Sequence, residues 1–295
     1  MLFHTFWALI LGFTLSGAVQ AFASRKKMRE QLGDDSFKSV FKASLFGIIS
    51  SSCSYSASAL AKSLFSKGAN FTSSMVFMFA STNLVIELGL VLWIMMGWQF
   101  AVAEFFGGAV MIILLKVLIP KLIPASLIES SRENVEKSAP PKPEKKASWH
   151  DAAGYTIGDF KMLRYELIIG FIVAGLAAKL IPASFWSAIF LSGNGIITTI
   201  QNVIIGPIIA FVSFVCSVGN IPLASTLWHG GLSFGGTISF IYADLIAFPL
   251  VMIYRKYYGT KLAIRLTLVF WLVMSLSGLI TEFVFQSLNL IPAMD

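Results

Sequence analysis

Charged residues are scarce in this chain. Of its 295 residues, 13% are Asp, Glu, Lys or Arg, which is about half the share in soluble domains. Hydrophobic residues make up 56% of the chain, and the mean hydropathy is +0.78. Folding such a chain in water would leave large apolar patches exposed. The composition therefore argues against a soluble enzyme, a disordered protein and a nucleic-acid binder.

Residues that usually build catalytic or metal sites are also few. The chain has two cysteines and three histidines, too few cysteines for a disulfide scaffold. His4, His150 and His229 are scattered, so we expect neither a His-based metal site nor a cofactor. The Gly-rich stretch 230–236 lacks the Gly-Lys-Ser/Thr ending of a phosphate loop. We therefore predict no enzyme activity, and coupling to ATP would need another subunit.

Long apolar stretches dominate what is present. They fall near residues 3–24, 39–66, 70–97, 99–123, 165–182, 196–230, 233–254 and 266–290. About 20 apolar residues suffice for a helix to cross a bilayer. The stretch 124–164 differs, because it is rich in proline and in charges of both signs. We interpret it as a solvated cytoplasmic linker between a first membrane repeat, 1–123, and a second, 165–295.

The first apolar segment, 3–24, has two interpretations. Residues 21–23 (Ala-Phe-Ala) resemble a signal-peptidase site. The start of the chain, however, has no Lys or Arg, whereas four basic residues lie between 25 and 29. Because positive charge stays on the cytoplasmic side, we favour a retained helix with its N-terminus outside.

The two halves of the chain resemble each other. A shift of 163 positions aligns residues 53–80 with 216–243 without a gap and gives nine identities. The matched pairs include Cys53/Cys216, Ser54/Ser217 and Gly68/Gly231. Apolar composition alone does not explain paired Cys-Ser and Gly residues. The pattern therefore indicates an internal repeat.

Basic clusters predict how each half crosses the membrane. Residues 25–42 hold six Lys or Arg, 116–164 hold nine and 255–265 hold four. The turn at 97–98, the stretch 183–195 and the C-terminus hold none. Placing the clusters inside and the neutral segments outside gives the two halves opposite orientations, with both chain termini outside.

Two stretches then begin and end on the same side. Residues 39–66 would be a re-entrant hairpin with its tip at 50–54, and residues 196–230 a second one with its tip at 216–220. The predicted fold is an all-α polytopic membrane protein of two inverted repeats, each with three spanning helices plus a re-entrant or broken helical hairpin. Eight to ten ordinary spans are the alternative, since hydropathy does not separate the two.

The hairpin tips are the predicted substrate site. Broken helices often form such sites near the membrane midplane, and helix N-termini near Ser54 and Asn220 would favour an anionic or dipolar solute. Cys53 and Cys216 are either soft ligands for a thiophilic solute such as trivalent arsenic or small buried packing residues. Ser54 and Ser217 could supply hydroxyl groups, and Asn220 could bind solute or cap a helix.

Acidic residues inside apolar runs are the second set of candidates. Charge at this depth is costly and usually functional. Asp244 and Glu87 are the predicted coupling residues, with a structural hydrogen bond between helices as the alternative. Asn83, one turn before Glu87, is expected to share its cavity. Weaker candidates are Glu104, Glu282, Gln201 and Asn202.

The repeated segments resemble the signatures of a known family. Its second signature is similar to residues 216–224, 230–236 and 240–245, and its first to residues 52–54, 67–69 and 80–83. The family is a bacterial group of predicted permeases that includes the organoarsenical efflux permeases. The resemblance covers most of both halves and implies a permease.

The expected function is therefore transport of a small solute across the bacterial inner membrane by alternating access, with organoarsenical or metalloid efflux as one form. The alternatives are a transporter or channel for a small sulfur-containing or inorganic anion and, in another class, a structural membrane subunit or membrane enzyme. The expected partners are the solute and the lipid bilayer, without nucleic acid. The sequence is also compatible with a homo-oligomer.

Overall fold

The computed structural model describes residues 25–50, 53–137, 148–158, 195–213 and 217–292, with isolated positions in 10–22 and 160–165. Within this part of the chain every regular element is a helix, which confirms the all-α prediction. Nearly all of segment 3–24, segment 165–182 and the residue Cys216 lie outside the described residues.

Twelve α-helices can be bounded within the described ranges. They are α1 (Arg25–Leu32), α2 (Phe37–Ser50), α3 (Ser54–Ser66), α4 (Phe71–Asn83), α5 (Ile86–Met96), α6 (Trp98–Leu122), α7 (Ala125–Lys137), α8 (Ile196–Ser213), α9 (Ser217–His229), α10 (Phe234–Tyr242), α11 (Phe248–Tyr258) and α12 (Thr260–Ser287). A 3-10 turn, Ala243–Ile246, follows α10. Residues 149–158 are also helical.

Three of these helices are long and apolar enough to cross a bilayer. They are α6, α8 and α12. Two interrupted pairs, α4 with α5 and Phe234–Ile246 with α11, raise the number to five if each pair is one span. The chain is therefore a multi-pass membrane protein.

Helix boundaries in the second half follow those of the first at the same 163-residue shift. Helices α3 and α9 begin at Ser54 and Ser217 and end at Ser66 and His229, each pair of positions 163 residues apart. Before α3, Cys53 has an extended backbone. Both turns that follow use glycine in the left-handed region, with φ of 103° at Gly68 and 101° at Gly231, where a β-carbon would be strained.

The two interrupted spans also break at corresponding places. Helix α4 ends at Asn83, and Val85 is extended before α5 begins. In the second half the 3-10 turn ends at Ile246 and Ala247 is extended before α11. Pro249, in the first turn of α11, accounts for the second break, because proline has no N–H for the preceding turn and is favoured at helix starts.

The helices group into two compact units that do not coincide with the sequence halves. Unit 1 comprises Met1–Thr82, Lys116–Ile169 and Pro249–Leu266. Unit 2 comprises Asn83–Leu115, Gly170–Phe248 and Thr267–Asp295. Each unit therefore contains segments from both halves of the chain.

In unit 1, part of the predicted linker is a packed helix. Ser131 and Val135 of α7 are buried. The Arg132 guanidinium lies 4.0 Å from the centre of the Phe65 ring and donates to the backbone oxygens of Phe65 and Ala69. Within the predicted linker, Ala125–Lys137 is thus a helix with one packed face, because its buried residues lie four apart.

In unit 2, glycines bring three helices close together. A β-carbon on Gly206 of α8 would lie 2.6 Å from the backbone oxygen of Gly236 on α10. On Gly278 of α12 it would lie 2.9 Å from the β-carbon of Ser239 on α10. Small residues permit this close helix packing. Helix α10 is thereby held between α8 and α12, with the 3-10 turn at its end.

Candidate functional site

Asp244 is the centre of a buried polar cluster in unit 2. It lies in the 3-10 turn after α10 and is 1% exposed. Its Oδ1 accepts a hydrogen bond from Nδ2 of Asn83 at 3.3 Å, and its Oδ2 accepts one from the hydroxyl of Ser217. Three residues from well-separated parts of the sequence, all candidates from the sequence alone, thus meet here.

The breaks in the helices position these three side chains. Asn83 is the last residue of α4, Asp244 lies just before the second break, and Ser217 is the first residue of α9. An interrupted helix leaves backbone groups without intrahelical partners, and such backbone is tolerated at membrane depth only within protein or beside a watery cavity. The polar cluster therefore forms where the helices are interrupted.

Glu104 is a second acidic group beside this cluster. Its side chain is fully buried, and both carboxyl oxygens lack a hydrogen-bond partner within the described part of the chain. The Asp244 carboxylate lies near enough to interact with it electrostatically. The Tyr242 hydroxyl donates to the backbone oxygen of Glu104 at 2.6 Å, which fixes α6 against α10.

Sequence reasoning ranked Glu104 below Asp244 and Glu87, because it is close to the start of an apolar run. A signal for its burial is present one turn later, at Gly107. A β-carbon there would lie 2.6 Å from the Tyr242 hydroxyl, and Ser277 donates to the Gly107 backbone oxygen at 2.6 Å. Glu104 and Gly107 are three residues apart on α6, so they share the face that packs inward.

Asn220 adds a buried amide on α9. It is 1% exposed and lies three residues after Ser217, so the two residues share one face of the helix. Neither its oxygen nor its nitrogen has a hydrogen-bond partner among the described residues. A buried amide without partners costs free energy and is suited to bind a polar group.

The remaining candidates are placed elsewhere. Cys53 precedes α3 in unit 1, with its Sγ 3.1 Å from the Ser56 hydroxyl, and Ser54 is buried beside it. Glu87 lies on an exposed face in the first turn of α5. Cys216 lies outside the described residues.

Buried carboxyl, amide and hydroxyl groups at the breaks of apolar, membrane-length helices are typical of proteins that move solutes or ions across bilayers. This combination defines the class as a membrane transport protein. Comparison with known proteins gives the family: residues 1–283 match the family described as "Predicted permease", and the chain belongs to it. The resemblance found in the sequence is thereby confirmed.

A relative from Mycobacterium tuberculosis (strain ATCC 25618 / H37Rv) supports the assignment. The protein called "Putative permease Rv2963" is 44% identical over 282 residues, which cover 89% of this chain and 70% of that protein. No solved structure matches the chain significantly.

Proposed function

We propose that this permease moves a small solute across the bacterial inner membrane by alternating access. Two inverted repeats, 1–123 and 165–295, rock against each other, and 124–164 faces the cytoplasm. The helix boundaries that correspond at the 163-residue shift support the repeat. The basic clusters support the orientation, with both termini outside.

The observation that carries the proposal is the hydrogen-bonded group of Asn83, Ser217 and Asp244 at two helix breaks. Desolvating such a group costs free energy that packing alone does not require. In the proposed cycle, these residues and Asn220 bind the polar part of the solute. Asp244 and Glu104 take up and release a proton, so that a pH gradient drives transport.

For the solute, we propose a trivalent organoarsenical or related metalloid that is exported. Cys53 and Cys216 occupy equivalent positions in the repeat, and thiolates are the preferred ligands of soft, thiophilic elements. A cysteine thiol that binds arsenic replaces one hydroxyl group and releases one water. Cys53 is partly exposed beside Ser56, which suits a ligand-exchange role.

The cysteines give the test of this solute. We expect replacement of both Cys53 and Cys216 by serine to lower organoarsenical resistance of cells that express the protein by about tenfold, which corresponds to about 1.4 kcal/mol of binding free energy lost with the two thiols together. The resistance given by each single variant should lie between that of the double variant and that of the wild type. Full resistance in the double variant, with a normal amount of protein in the membrane, would exclude a metalloid as the solute. The assignment as a permease would still stand.

A small sulfur-containing or inorganic anion is the second candidate solute. Helices α3 and α9, 13 residues each, begin at Ser54 and Ser217, and helix N-termini favour negative charge. Uptake of thiosulfate, sulfate and trivalent methylarsenical into everted vesicles is measured one at a time, with the other two as competitors. This separates the two classes of solute, because only a transported solute will compete in the micromolar to millimolar range typical of transport sites.

The proposed orientation predicts which surfaces an impermeant thiol reagent reaches. In a variant without native cysteines, a cysteine at Gly97 should react in intact cells, and one at Ser130 only after the cells are opened. Gly97 follows the last residue of α5, and Ser130 lies on α7. Labelling of a cysteine at position 130 in intact cells would show that the protein has the opposite orientation.

A further inference from the structure

Unit 2 contains a large cavity apart from the Asp244 cluster. Its volume is about 750 Å³, within the range of roughly 300–1,000 Å³ that holds small ligands. It lies where α8 and α10 begin and where α9 and α12 end. The residues that shape its chemistry are Asn202, Trp228, Phe234, Glu282, Phe283 and Gln286.

Asn202 is the first sign of a ligand. Its side chain is 0% exposed, it lines the cavity, and neither amide atom has a hydrogen-bond partner within the described residues. A buried amide without a hydrogen-bond partner costs on the order of 1–3 kcal/mol. A ligand that both donates and accepts a hydrogen bond would remove that cost.

Glu282 sets the charge of the cavity. It is 8% exposed, and its Oε2 accepts a hydrogen bond from the backbone N–H of Gly235 at the start of α10. Among the described residues that line the cavity it is the only charged one, since none is Lys, Arg or His. An anion entering here would meet a carboxylate without a balancing cation.

Aromatic rings form the apolar wall. The ring centres of Trp228 and Phe234 lie 5.3 Å and 4.8 Å from that of Phe100, and Phe285 lies 5.3 Å from Phe234. Rings packed in this way are held rigidly. Of these rings, Trp228 and Phe234 line the cavity. They give it an apolar side next to the Glu282 carboxylate, which suits a molecule with an apolar body and a positive charge.

We infer that this cavity is a second solute site, which binds small molecules with an apolar body and a hydrogen-bond donor. Its affinity is highest for a cation, lower for a neutral molecule and lowest for an anion. In the proposed orientation it faces outside. The inference rests on the proposed permease function only in that the bound molecule is a transported solute. It disfavours the simple anions considered above.

Three molecules of nearly the same shape test the preference: choline, 3,3-dimethylbutan-1-ol and 3,3-dimethylbutanoate. Binding of radiolabelled choline to the full-length protein in nanodiscs is measured by equilibrium dialysis, with the other two as competitors. We expect the neutral alcohol to compete about tenfold more weakly than unlabelled choline, and the carboxylate at least tenfold more weakly than the alcohol. Glu282→Gln should bring choline and the alcohol within about twofold.

Two further variants keep the test valid if Glu282→Gln is poorly folded. Gln286 is exposed at the cavity wall, so Gln286→Lys should fold, weaken choline at least fivefold and strengthen the carboxylate. Glu129→Gln, on exposed α7 surface in unit 1, should leave choline binding within twofold. Absence of choline binding, equal competition by the carboxylate, or no effect of both cavity variants would overturn the inference. Flux measured separately in proteoliposomes shows whether the proposed function fails with it.

Discussion

Asp244→Asn will lower solute flux through this permease by about 100-fold or more, because the proposed site loses its charge, its proton carrier and one acceptor oxygen; a 100-fold loss corresponds to about 3 kcal/mol. The Asp244 carboxylate accepts from Asn83 and Ser217. Asparagine keeps the shape of the side chain but has only one acceptor oxygen and no charge. Flux into proteoliposomes, per unit of reconstituted protein, measures the effect.

Matched variants separate loss of transport from loss of folding. Asp244→Glu keeps the charge and should retain part of the flux, whereas Glu129→Gln changes an exposed carboxylate in unit 1 and should leave flux unchanged. Thermal unfolding in detergent compares the stability of all three with that of the wild type. Wild-type flux in a well-folded Asp244→Asn protein would remove Asp244 from the transport path.

Glu104→Gln is expected to separate transport from the pH gradient. The Glu104 carboxyl is fully buried, without a hydrogen-bond partner among the described residues, and near Asp244. A glutamine of equal size does not take up a proton. With a gradient of one pH unit, wild-type accumulation should rise about tenfold for one coupled proton, and the variant should show no rise. Solute exchange without a gradient should persist in the variant.

Tyr242→Phe is the control for this prediction. It removes the hydrogen bond to the backbone oxygen of Glu104 but leaves both carboxyl groups in place. We expect a loss of roughly 1 kcal/mol in the free energy of unfolding, with the response to the gradient retained. A gradient-driven rise in Glu104→Gln equal to that of the wild type would show that Glu104 carries no coupled proton.

Local backbone features were the part of the fold that the sequence predicted. The pair Cys53-Ser54 marks backbone that has to leave the helical conformation, and Cys53 is extended before α3 begins at Ser54. The same repeat register places Gly68 and Gly231 in equivalent left-handed turns. Such features follow from local backbone preferences, which depend on the residue type at each position and can therefore be predicted from sequence.

The partners of the buried polar groups were harder to predict. Hydropathy estimates depth in the membrane but not the direction in which a side chain points. Asn83 donates a hydrogen bond to Asp244, which lies 161 positions away in the sequence, and the sequence did not indicate this partner. Glu104 was underrated for the same reason, because its neighbours come from distant segments.

Flux into proteoliposomes tests the central claim most directly. The purified full-length protein is reconstituted, and entry of trivalent methylarsenical and of thiosulfate is followed over a range of concentrations, with and without a pH gradient. For a permease with its polar site at the Asp244 cluster, one solute enters with saturable kinetics, the gradient raises its accumulation, and Asp244→Asn abolishes the signal. Entry that is linear in concentration and equal in Asp244→Asn vesicles would contradict that account.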